Sequence, residues 1–390
     1  MLLREIRAAN LLSFGPGGTS LTLRPLNVLI GPNGSGKSNL VEAISLLRAA
    51  PLHLAAPIRD GGGIRDWIWK GTGTPGTTAM LEVVVENPVG KPPLRHTIWF
   101  TESSQKFELV DEQIESGALA RLEGPYFYYN FRQGNPVLGV SGQHERRVRR
   151  EDVSLDESIL SQRKDPDQYP EITYLGRVYA QIRQYREWCF GRSTVPRQPQ
   201  KADQPNEFLE PDCANLGLVL NRLRRDPAAK RDILDNLKQL YNGIEDYDVS
   251  VEGGTVQVFF HETGLVSPVP ATRLSDGTLR YLCLLTILCH PSPPPLICIE
   301  EPELGLHPDI MPTLARLLKA ASERTQLVVT THSDILVDEL TDQPESVVVC
   351  EKSDGQTTMK RLDGQALAGW LEKYRLGQLW TQGEIGGVRW

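Results

Sequence analysis

No Cys-x-x-Cys pair occurs in this 390-residue chain, and its six cysteines lie far apart or inside apolar runs. That pattern excludes a zinc ribbon or a disulfide frame. Cys189, Cys213, Cys283, Cys289, Cys298 and Cys350 are expected to be reduced core residues. Long apolar runs are lacking too: the longest, Tyr281 to Cys289, falls short of the roughly 20 residues a bilayer requires. The opening Met1-Leu-Leu-Arg-Glu-Ile-Arg7 is broken by charge at once, so no secretory signal is expected and the chain reads as cytoplasmic. Positive charge is in deficit, with 42 Lys and Arg against 49 Asp and Glu, a net of −7. This argues against a surface built to coat nucleic acid. Two local basic clusters, Arg146-Arg-Val-Arg-Arg150 and Arg222-Leu-Arg-Arg225, remain open as nucleic-acid contacts or as solvated faces. Repeats, low-complexity tracts and long heptad arrays are also missing, so no solenoid and no long coiled coil is expected.

What is present is an ordinary globular composition, 40% hydrophobic and 23% charged. At this length it fits two or three domains, or one large domain with an insertion. The chain is organised around Leu26-Asn-Val-Leu-Ile-Gly-Pro-Asn-Gly-Ser-Gly-Lys-Ser38. Leu26 to Ile30 reads as a buried strand, and a helix is expected to begin near Lys37. Between them lies a G-x-x-x-x-G-K-[ST] phosphate loop. Gly31, Gly34 and Gly36 permit the positive φ angles that turn backbone N–H groups onto an anion. The following helix N-terminus adds donors and the positive end of its dipole. Lys37 is placed to reach the β- and γ-phosphates, and the Ser38 hydroxyl to hold Mg²⁺. Pro32, Asn33, Ser35 and Asn39 complete the expected nucleotide-binding stretch.

Strands are expected around Leu3–Ala8 and Thr19–Leu23, separated by the breaker cluster Gly15-Pro-Gly-Gly18. From about Gly61 to Pro136, short runs at Ala79–Val85, Leu94–Phe100 and Tyr126–Phe131 predict an antiparallel sheet beside the phosphate-loop sheet. Helical spacing follows at Glu157–Arg163, Ile172–Trp188, Cys213–Arg224 and Ala228–Tyr241. The Pro-, Gln- and Arg-rich stretch Gly191–Pro211 predicts a surface loop. Tyr247–Val251 and Thr255–His261 read as strands around Gly253-Gly254.

Three later stretches carry chemistry. Arg273-Leu-Ser-Asp-Gly-Thr-Leu-Arg280 leads into the apolar helix Tyr281–Cys289. It reads either as a capped helix start or as a second anion-binding helix N-terminus. In Pro295-Leu-Ile-Cys-Ile-Glu-Glu-Pro-Glu-Leu-Gly-Leu-His307 an apolar strand ends in adjacent carboxylates, Glu300 and Glu301. Parallel α/β sheets place their ligand crevice at that end of the strand. Adjacent strand residues point to opposite sides, so one carboxylate is expected to face a metal and the other an attacking water. Gln326-Leu-Val-Val-Thr-Thr-His-Ser333 ends a further strand in His332, either structural or a phosphate sensor.

The order of phosphate loop, Leu-Ser-Asp-Gly-Thr, Glu-Glu-Pro and Thr-Thr-His resembles the ABC-type ATPases, within them the RecF-like and SMC-like group of AAA-family proteins. Leu11-Leu-Ser-Phe-Gly15, Glu157-Ser-Ile-Leu-Ser-Gln162 and the closing Leu376 to Trp390 look like a bacterial "predicted ATPase" branch of that group. The resemblance implies an α/β P-loop head with a split core lobe, residues 1–140 and 282–390, that includes an antiparallel β-subdomain. An inserted helical lobe, residues 141–281, would carry the signature motif. By the same resemblance Lys37 and Ser38 match the Walker A lysine and metal ligand. Glu300 stands at the Walker B position as a metal ligand, Glu301 matches the catalytic glutamate, and His332 the switch histidine. Ser275 and Gly277 match the signature that contacts an opposite subunit's γ-phosphate, with Asp276 where many relatives have glycine. Gln162 is the candidate glutamine that links Mg²⁺ to the helical lobe, with Gln143, Gln168 and Gln181 as rivals.

The implied activity is Mg²⁺-dependent ATP hydrolysis by a head-to-head homodimer or higher homo-oligomer that controls a separate effector, in DNA repair or anti-phage defence. A transporter's ATP-binding subunit and a non-hydrolysing nucleotide-binding scaffold are the alternatives. The apolar closing segment is expected to pack rather than hang free.

Overall fold

Leu26–Ile30 is buried at every position, which is why its sequence shows no alternation. The computed structural model describes the chain except for residues 72–77, 88–90, 117–125, 133–134, 140–145, 148–152 and 388–390. Val148 to Arg150 of the first basic cluster, the rival Gln143 and the terminal Trp390 therefore lie outside the described residues. The chain divides into two compact units. One comprises residues 1–182, 345–363 and 383–390; the other comprises residues 183–344 and 364–382.

In the first unit, Leu26–Ile30 pairs in parallel with Val347–Ser353, which pairs antiparallel with Gln356–Arg361. The helix Lys37–Ala49 follows the phosphate loop and buries Leu40, Val41, Ile44 and Leu47 at helical spacing. An eight-stranded antiparallel sheet accompanies them, with Thr78–Val85, Leu94–Ser103 and Lys106–Ser116 at its centre. Thr78–Val85 alternates between half-buried and buried residues, the period-2 pattern of a strand with one face on the core. Lys106–Ser116 carries no clean alternation because the register shifts against Trp99 and Phe100, leaving Val110 exposed.

In the second unit, Leu296–Glu300 is flanked in parallel by Arg183–Tyr185 and Gln326–Thr330. The helical reading of Ile172–Trp188 ends early: the helix is Pro170–Ala180, and Arg183–Tyr185 is a strand. Pairing of its backbone with Ile297–Ile299 overrides its local spacing. Gly191–Pro211 is not simply a surface loop either, because Pro196, Arg197, Gln200 and Leu209 are buried. All six cysteines are free, and five are buried; Cys189 is exposed. Among the described residues no helix is long and apolar enough to cross a membrane. The closing helix Leu376–Thr381 buries Leu376, Leu379 and Trp380 and packs on Asp334–Asp338, with Asp338 Oδ1 accepting from Gly377 N at 2.7 Å.

A fully buried polar group pins the antiparallel sheet to its neighbouring helices. Glu112 accepts from His96 Nε2 at 3.0 Å, from Ile159 N at 2.8 Å and from the Ser158 hydroxyl. His96 Nδ1 in turn meets the Tyr179 hydroxyl at 3.3 Å. The sheet strands and the start of the Ile159–Gln162 helix thus share one carboxylate. Removing it leaves donors buried without an acceptor. Glu112→Ala is expected to lower stability by about 3–5 kcal/mol, read as a shift in the urea unfolding midpoint.

Candidate nucleotide-binding and catalytic site

The phosphate loop is shaped by what its glycines leave out. Gly31, Gly34 and Gly36 have φ of 144°, 81° and 96°. A Cβ at Gly31 would lie 2.2 Å from the Cys350 carbonyl oxygen, and one at Gly36 would lie 2.1 Å from Thr357 Oγ1. Those two positions admit no other residue, because the neighbouring strand pair comes too close. Thr357 Oγ1 donates to Ser35 O at 3.0 Å, and Ser13 Oγ lies 2.6 Å from both Thr357 Oγ1 and Asn39 Nδ2. Ser13 of the Leu11-Leu-Ser-Phe-Gly15 stretch is therefore a brace for the loop. Lys37 is buried, and its Nζ donates to Gly31 O at 2.8 Å and Pro32 O at 3.0 Å. Asn33 and Gly34 are exposed at the loop's tip, and Ser38 is half-buried at the start of the helix. An ammonium folded onto its own loop, a hydroxyl beside it and an open tip fit a phosphate chain with a hard cation.

Gln162 closes on its own segment. Its Oε1 accepts from Ser154 N at 3.0 Å and its Nε2 donates to Glu157 O at 2.9 Å.

The second unit holds Glu300, Glu301, His332, Ser275 and Gly277, and of these Glu301 and His332 approach each other. Glu300 is the last residue of its strand, and its Oε1 lies 3.1 Å from Arg186 Nε. A metal on Glu300 would compete with that ion pair. Glu301 has already left the strand, with φ of 46° in the left-handed region that side chains disfavour. Its N–H donates to Thr330 O at 3.0 Å. Strand alternation therefore does not set the directions of the two carboxylates; the turn at Glu301 does. Glu301 Oε1 lies 3.7 Å from His332 Nε2. Glu303 fixes the histidine's backbone, since its Oε1 accepts from His332 N at 2.7 Å and Thr331 Oγ1 at 2.8 Å.

Ser275 caps the helix Asp276–Leu288, accepting from Thr278 N at 3.1 Å, and is exposed. The charge of Asp276 is met by Arg197, a buried side chain that also donates to Phe190 O at 2.7 Å and to Leu274 O. A Cβ at Gly277 would lie 2.6 Å from the Gly305 carbonyl oxygen. The requirement for glycine there is met within the chain itself.

Residue-by-residue reading of the sequence missed Arg186, Trp188, Arg197, Arg280 and Glu303. Glu303 and Arg280 stood inside the quoted motifs without a role. The other three came from stretches read as helix or loop, and their partners lie about 80 or more residues away.

No curated protein matches this sequence. A family model described as "AAA domain, putative AbiEii toxin, Type IV TA system" matches residues 26–338. Solved SMC heads are similar over nearly the whole chain. An SMC head bound to the C-terminal winged-helix domain of ScpA is 14% identical with a TM-score of 0.62, covering 94% of this chain and 99% of that one. A Pyrococcus furiosus SMC head with an extended coiled coil, bound to the C-terminal domain of ScpA, is 13% identical with a TM-score of 0.62. It covers 96% and 99% of the two chains. A Pyrococcus yayanosii SMC head with a coiled coil and joint is 12% identical with a TM-score of 0.55, covering 96% and 99%. With the phosphate loop, the two-carboxylate strand end and an SMC-head fold in one chain, this protein belongs to that AAA-domain family of P-loop ATPases.

Proposed function

We propose that the chain is an ATP-hydrolysing switch, two copies of which close head-to-head around ATP to control a separate effector, in DNA repair or anti-phage defence. The observation that carries the hydrolytic part is the approach of Glu301 and His332, from two neighbouring strand ends, to 3.7 Å. In this reading the core lobe is residues 1–140 and 282–390, and the inserted lobe, residues 141–281, presents the signature. Lys37 and the loop amides bind the phosphate chain of ATP, as a fixed cation and fixed dipoles serve phosphoryl transfer. Ser38 and Glu300 would hold Mg²⁺, which would supply positive charge against the phosphates. Glu301 orients and accepts a proton from water, and His332 senses the terminal phosphate and holds the glutamate in place. Ser275 presents its capped helix end to the other copy's nucleotide, and Gln162 would have to release Ser154 and Glu157 to serve as the coupling glutamine to the metal. Local basic clusters are the place for any nucleic-acid contact.

Three outcomes follow from these roles. Lys37→Ala is expected to abolish binding of a fluorescent ATP analogue, because the loop loses its cation. Glu301→Gln keeps the shape and removes the proton acceptor. Its steady-state ATPase rate is expected to fall by about 10²–10⁴-fold while nucleotide binding survives and the ATP-bound dimer accumulates. Glu300→Gln is expected to change Mg²⁺ dependence as well as rate. If Glu301→Gln runs at the parent rate and Glu300→Gln is inert, the two roles are reversed.

The dimer is tested at Ser275, not at Gly277, where a side chain would strike Gly305 in the same chain. Ser275→Asp retains a helix-capping oxygen and sets an anion where a partner's phosphate is to arrive. ATP binding is expected to persist while the ATP-dependent dimer disappears in sedimentation. A Ser275→Asp protein that still dimerises with ATP would remove the trans contact.

A further inference from the structure

A left-handed φ at a glutamate persists only where the surroundings hold it. At Glu301 the N–H is taken by Thr330, and the other side of the turn is held by a group that no motif assigns. Arg280, in the second turn of the Asp276–Leu288 helix, donates through Nη1 to Glu301 O at 3.3 Å. Its guanidinium carbon lies 5.3 Å from the Trp188 ring centroid and 5.9 Å from that of Phe190. Trp188 and Phe190 are stacked at 6.1 Å, and Trp188 stacks on Tyr185 at 5.9 Å. The same Trp188 donates through Nε1 to Glu300 O at 2.9 Å. Consecutive carbonyls at the catalytic turn are thus gripped by an indole and by the arginine lying over it.

We infer that Arg280, seated on Trp188, is a positioning residue that holds Glu301 in its left-handed turn. It ties the geometry of the catalytic carboxylate to the signature helix of the same chain. A planar guanidinium suits this place because it lies flat on aromatic rings and donates from its edge at once. Burial lowers the pKa of Arg280 from its ordinary value, and the negative charge of Glu303 opposes that shift. The helix capped by Ser275 also abuts Gly305 through Gly277, so it touches Glu301 at one point and the loop beyond it at another. A displacement of the helix start is therefore transmitted to the turn through Arg280 and Gly277. The role is positional, since Arg280 reaches a backbone carbonyl and not the reacting atoms.

Full-length Arg280→Met, Arg280→Lys and Trp188→Phe are to be compared with the parent in two measurements. The first is the crystal structure of each, which does not depend on activity. In Arg280→Met the Glu301 φ is expected to leave the left-handed region and the Glu301–His332 approach to open. The second, which rests on the ATPase reading, is the kcat–KM split. Arg280→Met is expected to lose on the order of 10²-fold in kcat with KM for ATP unchanged, the magnitude of a misplaced catalytic group. Arg280→Lys keeps a cation over the ring and is expected to recover part of that loss. Trp188→Phe keeps the stack, loses the bond to Glu300 O, and is expected to fall between. A Glu301 turn retained in Arg280→Met, or a parental kcat with that turn lost, overturns the inference. If Arg280→Met does not fold, the structure of Arg280→Leu, which likewise lacks the donor to Glu301 O, decides by the same criterion. A parent enzyme without ATPase activity would defeat the functional reading and leave the crystallographic comparison to decide this one.

Discussion

A single strained residue governs the end of the strand that carries the two carboxylates. The strand Leu296–Glu300 is buried by its apolar residues, and those residues fix where the carboxylates emerge. Had the strand continued, Glu300 and Glu301 would point to opposite faces. Instead the chain reverses at Glu301, at a cost of about 1–3 kcal/mol for a non-glycine residue in that region. Thr330 on one side and Arg280 on the other supply the hydrogen bonds that keep it there. The approach of Glu301 to His332 follows from that turn.

The phosphate loop obeys the same logic with the opposite choice of residue. Its positive φ angles are assigned to glycine, so no strain is stored, and close packing supplies the definition. Cys350 O and Thr357 Oγ1 occupy the volume that side chains at Gly31 and Gly36 would need. Ser13, Asn39 and Thr357 form a short hydrogen-bonded brace behind the loop. A binding loop that must meet many phosphate oxygens gains from being rigid before its ligand arrives. The turn at Glu301, held by a contact from a separate helix, is placed to respond to that helix.

Polar burial elsewhere serves the frame. Glu112 serves three donors from two parts of one unit, and Arg197 serves Phe190, Leu274 and Asp276 in the other. Arg197 also explains how Asp276 is tolerated at the start of its helix. Its charge is met from behind by a buried guanidinium, so the exposed Ser275 end of the helix keeps its positive character.

The sequence by itself determined the phosphate loop, the helix after it, the apolar strand ending in Glu300, the apolar strand Gln326–Thr330 that stops two residues before His332, and the capped start at Ser275. Each depends on neighbours within a dozen residues, through glycine's φ freedom, hydrophobic burial and capping, so each is written locally. The antiparallel character of 78–132 was legible for the same reason, although Lys106–Ser116 hid behind its bulge. Only the tertiary structure decided the rest. Arg183–Tyr185 became a strand because Ile297–Ile299 pairs with it, against its own helical spacing. Arg197 became a core residue because Asp276 and two carbonyls surround it. Glu301 turned left-handed because Thr330 and Arg280, from opposite sides in sequence, bind its backbone. Long-range hydrogen bonds and desolvated charges carry no local signature, since their free energy appears only when distant segments have already been brought together.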